Sequence, residues 1–371
     1  MKNRMLFSFI VICVLAANTA AAQKRAAFKI PSLKEIFKTD FLVGTALSEK
    51  QINGKDPVAD KLVSRQFNIV TAEDAMKSEV TQPGWNQFNF TIADKLVAWA
   101  QKNNIKVHGH TLIWHSQLPA YMKNMQDADS VKQFFENQIK TVAGRYGKKI
   151  VSWDVVNEAL NEDGSLRKSV FLEKLGAGYI AEAFRLAALA TPESFLYYND
   201  YNIELPDKRA GCISIIKQIQ QAGIRIDGVG IQGHWHLGKV PFKDIEESIE
   251  QYAALGIKVA ITELDINVLP TKVSGADVSR HFKGDAASNP YVNGLPDSVQ
   301  NELASDYAQL FKIFLKHKNN ISRITFWGVH DGQSWLNGWP VAGRTNYPLL
   351  FDRQGKPKPA FYSVIATKNY K

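Results

Sequence analysis

The nine residues IVSWDVVNE, from Ile150 to Glu158, decide how this chain is read. Apolar and β-branched side chains fill the run, as in a strand buried on both faces. A carboxylate then closes it. KVAITELD, from Lys258, repeats the plan and sets Glu263 at the same point. Six more stretches are of this kind: FLVGTAL from Phe41, FNIVTAE from Phe67, IKVHGHTLIW from Ile105, FLYYNDYN from Phe195, GVGIQGHW from Gly228 and ITFWGVHD from Ile324. Helical patterns lie between them. Ile92, Leu96, Trp99 and Ala100 recur at helical spacing, with Thr91 and Asp94 placed as a capping pair. Pro206 suits a helix's first turn, and a last helix is expected after Pro359. Gly147, Gly223 and Gly256 stand where helices should stop. Eight strand–helix alternations predict an α/β fold, a (β/α)8 TIM barrel forming a single catalytic domain. The segment from about Pro270 to Pro296 lacks periodicity and is expected to be a loop at the catalytic face.

The first 22 residues read as a secretory signal rather than structure. Lys2 and Arg4 charge its start, Leu6 to Leu15 form the apolar stretch, and Ala20, Ala21 and Ala22 offer a cleavage site. The expected domain is then 23–371, exported to a periplasm or beyond the cell. The apolar stretch is too short to span a membrane. Ile12 is bulky where lipoprotein processing at Cys13 wants a small residue, so no membrane anchor is expected. Of 371 residues, 45% are hydrophobic and the formal charge is +9, but the lysines are scattered. They read as a solvated surface, with no nucleic-acid partner expected. Only Cys212 lies beyond the signal, so no internal disulfide is expected; its helical apolar setting suits packing.

Barrel active sites lie at the carboxyl ends of the strands. Polar and aromatic residues gather at those ends here: Glu73 and Lys77, His110 and Trp114, Asn157 and Glu158, Tyr201, Gln232, His234 and Trp235, Glu263 and Asp265, and Trp327. Two carboxylates facing each other across a barrel mouth suit cleavage of a glycosidic bond, one protonating the leaving oxygen and one attacking or assisting at the anomeric carbon. His108, His110, His115, His234 and His236 invite a metal reading. No HExxH helix or cysteine pair accompanies them, and neither metal nor cofactor is expected. Trp153 reads as strand packing, whereas Trp85 and Trp339 could be sugar platforms or plugs.

GHTLIWHSQLP, WDVVNE, YNDYN, GIQGHWH, ITELD and TFWGVHDGQSW occur together, in order, from about Leu33 to Tyr362. In this the chain resembles the family 10 glycoside hydrolases, the endo-β-1,4-xylanases. The resemblance implies a retaining enzyme acting on xylan or xylo-oligosaccharides; with the signal segment it is expected to be secreted, and a monomer is expected. Glu158 would be its acid/base and Glu263 its nucleophile. His234 would donate to Glu263, with Asp265 fixing the imidazole. Asn157 would donate to the sugar 2-hydroxyl, Glu73, Lys77 and His110 would bind hydroxyls on the non-reducing side, and Tyr201 would join the substrate contacts. Gln232 would lie close to the nucleophile. Trp114, Trp327 and Trp335 would form apolar walls, Trp335 crowding a glucose hydroxymethyl. One position departs from the family: AEDAMK has Asp74 where the family usually has Asn. Activity on cellulose or mannan, or glycan binding without catalysis, stay open as alternatives.

Overall fold

The computed structural model describes residues 30–271, 273 and 275–369. The expected signal segment lies outside the described residues. The compact unit from Ser32 onward is built on eight parallel strands: β1 (Leu42–Leu47), β2 (Ile69–Ala72), β3 (Lys106–Gly109), β4 (Ser152–Asn157), β5 (Phe195–Asp200), β6 (Gly228–Ile231), β7 (Lys258–Asn267) and β8 (Ile321–Phe326). Each pairs with the next in sequence. Leu42 to Thr45 of β1 also pair with Arg323 to Phe326 of β8, which closes the sheet into a barrel. β2 and β4 to β6 are buried along nearly their whole length, as expected of strands covered by helices outside and by their own side chains inside.

Two expected strands are interrupted. IKVHGHTLIW divides into β3 and a short extension, Ile113–Trp114, that pairs with Val156 and Asn157. GVGIQGHW divides at Gln232 and Gly233, and His234–His236 pairs separately with Asp265–Asn267 of β7. Three further irregularities lie within strands, one of them an extra residue of β8 between Ile321 and Arg323 relative to β7. β4 holds one extra residue between Asp154 and Val156 relative to β5, and β7 holds one extra between Ile261 and Leu264 relative to β8. Such bulges turn the strand and re-aim the side chains that follow. Here Glu158 follows the β4 bulge and Glu263 lies within the β7 bulge.

The helices run between the strands and cover the barrel. Pro206 and Pro359 are first residues of their helices, and Gly147, Gly223 and Gly256 take positive φ at helix ends. The expected capping pair is corrected. Thr91 is already helical, with Phe90 before it as the cap and no side-chain cap bond. Asp94 is drawn away by Arg145, whose Nε and Nη2 donate to it at 2.8 and 2.5 Å, and by the Tyr146 hydroxyl at 3.0 Å. A bidentate guanidinium outcompetes a weak cap bond. Trp153 is fully buried, and a Cβ on Gly109 would meet its ring at 2.1 Å. Cys212 is buried in the Pro206–Gln221 helix.

Candidate active site

A narrow cleft opens at the carboxyl ends of the strands. It is lined by Lys77, His110, Trp114, Asn157, Glu158, Gln232, His234, Glu263, Trp327 and Trp335, together with Ala276 and Val278 of the long loop after β7. The loop therefore reaches the site, as its position after the seventh strand predicts.

Glu158 sits one residue past β4 with φ +55°, a left-handed conformation uncommon for a glutamate. Neighbouring groups hold it there. Its N–H donates to the Asn199 carbonyl at 2.9 Å, and its carbonyl accepts Arg167 Nε at 3.1 Å. Three donors meet the carboxylate: Trp114 Nε1 reaches Oε2 at 3.0 Å, and Gln232 Nε2 and Asn157 Nδ2 reach Oε1 at 3.0 and 3.2 Å. The pKa is nevertheless raised. Burial is the largest cause and the charge of Glu263 adds to it, outweighing the donation from Gln232 and Trp114.

Glu263, equally buried, goes the other way. Burial would raise its pKa, but donation from His234, the charges of His110 and His234, and donation from Asn199 lower it. His234 Nε2 lies 3.2 Å from Glu263 Oε2 and its Nδ1 3.0 Å from Asp265 Oδ1. Burial disfavours an imidazolium, yet the Asp265 and Glu263 carboxylates push this histidine up to about 10. This favours the imidazolium at neutral pH, held between the two carboxyl groups. Asp265 Oδ2 also accepts Trp335 Nε1 at 2.7 Å, so one carboxylate orients both the imidazole and the indole wall.

The two acids are tied through amides. Asn199 Nδ2 donates to Glu263 Oε1 at 2.8 Å and to Asn157 Oδ1 at 2.9 Å, while Asn157 Nδ2 donates to Glu158. The Asn199 amide is oriented from behind, its Oδ1 accepting the Thr262 hydroxyl at 2.6 Å. Space for it comes from Gly230, where a Cβ would meet Asn199 Oδ1 at 2.3 Å. Sequence reasoning missed Asn199. The register Asn157↔Asn199 across β4 and β5 identifies it once pairing is known.

Gln232 lies close to the nucleophile, its backbone carbonyl accepting the Glu263 N–H at 2.7 Å, while its amide side chain serves Glu158. One expected position is corrected. Tyr201 is not on the cleft wall. It is buried behind Glu158, its hydroxyl accepting Arg167 Nη2 at 2.7 Å, with Lys208 Nζ 3.6 Å from its ring centroid. Trp114 is a hydrogen-bond donor as well as a wall. The other expected residues have these surroundings. His110 Nδ1 lies 2.9 Å from Asp154 Oδ2, and its ring packs edge-on against Trp327. Lys77 bridges Asp74 at 2.8 Å and Gln117 at 2.7 Å beneath Trp114. Glu73, half-buried at the end of β2, is pushed up to about 7 by burial first and by the Asp74 charge next. Trp339 is buried, stacked 4.5 Å from Trp335, whereas Trp85 is exposed against Tyr121.

The model of glycosyl hydrolase family 10 matches residues 32–367. The chain belongs to that family. It is 40% identical to endo-1,4-β-xylanase A of Xylanibacter ruminicola, over 98% of this chain and 99% of that one. It is 36% identical to a β-1,4-xylanase of Dictyoglomus thermophilum, with the same coverage. Among solved structures, a family 10 endoxylanase from a sugarcane soil metagenome is 39% identical with a TM-score of 0.86, covering 90% of this chain and 99% of that one. A relative in complex with xylotriose is 33% identical with a TM-score of 0.81, covering 90% of this chain and 99% of its own.

Proposed function

We propose that this family 10 glycoside hydrolase is an endo-1,4-β-xylanase that retains anomeric configuration, with Glu158 as acid/base and Glu263 as nucleophile. The observation that carries the assignment is the opposite displacement of two neighbouring buried carboxyls. Glu158 is held up by burial and by its partner's charge, and Glu263 is held down by His234 and Asn199. A retaining enzyme needs one protonated and one ionised carboxyl about 5 Å apart.

In the first displacement, Glu263 attacks the anomeric carbon and Glu158 gives its proton to the leaving oxygen. The new ester bond removes the Glu263 charge. Glu158 then loses a neighbour that raised its pKa, so it suits the role of base toward water in the second displacement. Asn157 is the donor for the 2-hydroxyl, a contact that strengthens as positive charge grows on the sugar ring. His110, anchored through Nδ1, presents Nε2 to hydroxyls on the non-reducing side with Glu73 and Lys77. Trp114, Trp327 and Trp335 pack against the C–H faces of the sugars. Trp335, fixed by Asp265, crowds the place of a glucose hydroxymethyl and so favours xylose. The enzyme is proposed to act as a monomer, with 23–371 as its catalytic domain exported after removal of residues 1–22. Among the described residues, no helix is long and apolar enough to cross a membrane.

Product analysis on xylan, carboxymethylcellulose and mannan tests the specificity. NMR of the first-formed anomer tests the stereochemistry. Cleavage confined to xylan with a β product is expected; preferred cleavage of cellulose or mannan, or an α product, overturns the reading.

A further inference from the structure

A larger hollow, about 300 Å³, lies near the cleft between the loops that follow β7 and β8. Both loops leave carboxyl ends of strands, so it shares the catalytic end of the barrel. The Trp335–Trp339 stack connects the two: Trp335 lines the cleft, and Trp339 precedes Pro340 of the hollow and accepts Arg344 Nη2 through its carbonyl. The lining is mostly apolar, including Phe282, which is 47% exposed, and Val341. Its charges are Lys283, Arg344 and Asp285. Asp285 is engaged locally, accepting the Ser288 N–H at 2.8 Å.

Arg344 is the unusual member. It is only 4% exposed, and its Nη atoms donate to the carbonyls of Pro270 at 3.2 Å, Trp339 at 2.8 Å and Leu336 at 3.4 Å. Among the described residues no carboxylate pairs with it, and its buried Nε has no acceptor. Carbonyl dipoles orient a guanidinium but do not neutralise it. A buried cation without an anion leaves a favourable place for one. A small inorganic anion would leave the apolar lining uncovered. A sugar ring carrying a carboxylate matches both parts: C–H faces for Phe282 and Val341, and an anion for Lys283 and Arg344.

We propose that this hollow binds a uronic acid branch of the glycan whose backbone occupies the cleft. The inference rests on the xylanase reading for its backbone. It makes the enzyme a reader of acidic decoration one aromatic stack away from the scissile bond.

The test uses the whole enzyme and two probes, methyl glucuronide and methyl glucoside, followed by calorimetry or ligand-observed NMR. The glucuronide should bind in a salt-sensitive way and the glucoside much more weakly. Lys283→Glu, an exposed position whose change leaves the fold intact, should weaken glucuronide binding by about fivefold. Phe282→Ala should weaken it too. In kinetics, Lys283→Glu should lower kcat/KM on glucuronoxylan but not on the same polymer with its carboxyls reduced, nor on linear xylohexaose. Equal binding of both probes, absence of glucuronide binding, displacement of glucuronide by xylobiose, or an unchanged ratio between acidic and reduced polymer overturns the proposal. Inactivity of the wild type on xylohexaose would instead strike at the xylanase reading, while the binding measurement still judges the hollow.

Discussion

Gln232→Leu isolates one hydrogen bond to the acid. Gln232 is 1% exposed, so leucine replaces it inside a packed site at nearly the same volume. Its Nε2 donates to Glu158 Oε1 at 3.0 Å and to Asn157 Oδ1 at 3.3 Å, while its Oε1 has no partner among the described residues. The change thus removes a donor from a carboxylate but also a buried, unsatisfied acceptor, and the fold should lose little stability. The backbone contact from the Glu263 N–H to the residue 232 carbonyl survives. A donor favours the ionised acid, so losing it raises the Glu158 pKa. A hydrogen bond to a charged group contributes roughly 1.5–3 kcal/mol. Asn157 Nδ2 remains on the same oxygen at 3.2 Å, so the lower end applies. At 1.36 kcal/mol per unit, the shift is about one pH unit upward. The assay is kcat/KM against pH for a xylobioside with a poor leaving group. Its alkaline limb, set by Glu158, should move up while the acidic limb, set by Glu263, stays. A downward or absent shift of the alkaline limb would refute the hydrogen-bond argument, and a moved acidic limb would show that the amide serves the nucleophile.

Other outcomes follow from the same geometry. Glu263→Ala should abolish turnover of xylan with the fold intact, and azide should restore part of it with an inverted product, seen by NMR of the glycosyl azide. Glu158→Ala should slow xylan cleavage by about 10²–10⁴-fold yet spare the first step on an activated aryl xylobioside, visible as a burst of phenol; equal losses on both substrates would contradict an acid role. Asp74→Asn breaks the half-exposed Lys77 pair and takes a like charge from beside Glu73. It should change kcat/KM on xylobiosides by roughly 0.5–1.5 kcal/mol while barely affecting single-xylose aryl glycosides. His234 has a pKa raised from 6.5 to about 10 by folding. Its contribution to stability is complete below about 6.5 and fades as pH rises toward about 10. Denaturant midpoints of wild type and His234→Gln should converge over that window, and a constant gap would contradict a charged histidine.

The barrel was legible because each parallel strand, covered on both sides, appears as a short apolar run ending in a polar residue. Glu158 and Glu263 were legible for the same reason, as carboxylates where no packed strand would put one. What escaped depended on neighbours distant in the chain. Asp94 looked like a cap because Arg145 lies 51 positions away. Asn199 looked like one more polar letter in YNDYN until the register set it beside Asn157. Tyr201, one position past β5, seemed to belong to the cleft, but Arg167 and Lys208 claim it behind Glu158. The extra residues in β4 and β7 leave no mark on composition, since a bulge is defined only against its partner strand.

The left-handed backbone at Glu158 bears on how this enzyme would evolve. A glutamate at φ +55° holds of order 1–3 kcal/mol of strain that glycine would not feel. The cheapest route to a tougher protein at this position is therefore one that discards the proton donor. A library screened only for heat resistance would drift toward inactive barrels here, and a screen coupled to sugar release would keep the tension in place. Thermal robustness and turnover are set against each other at a single dihedral angle, in the residue that the chemistry can least spare.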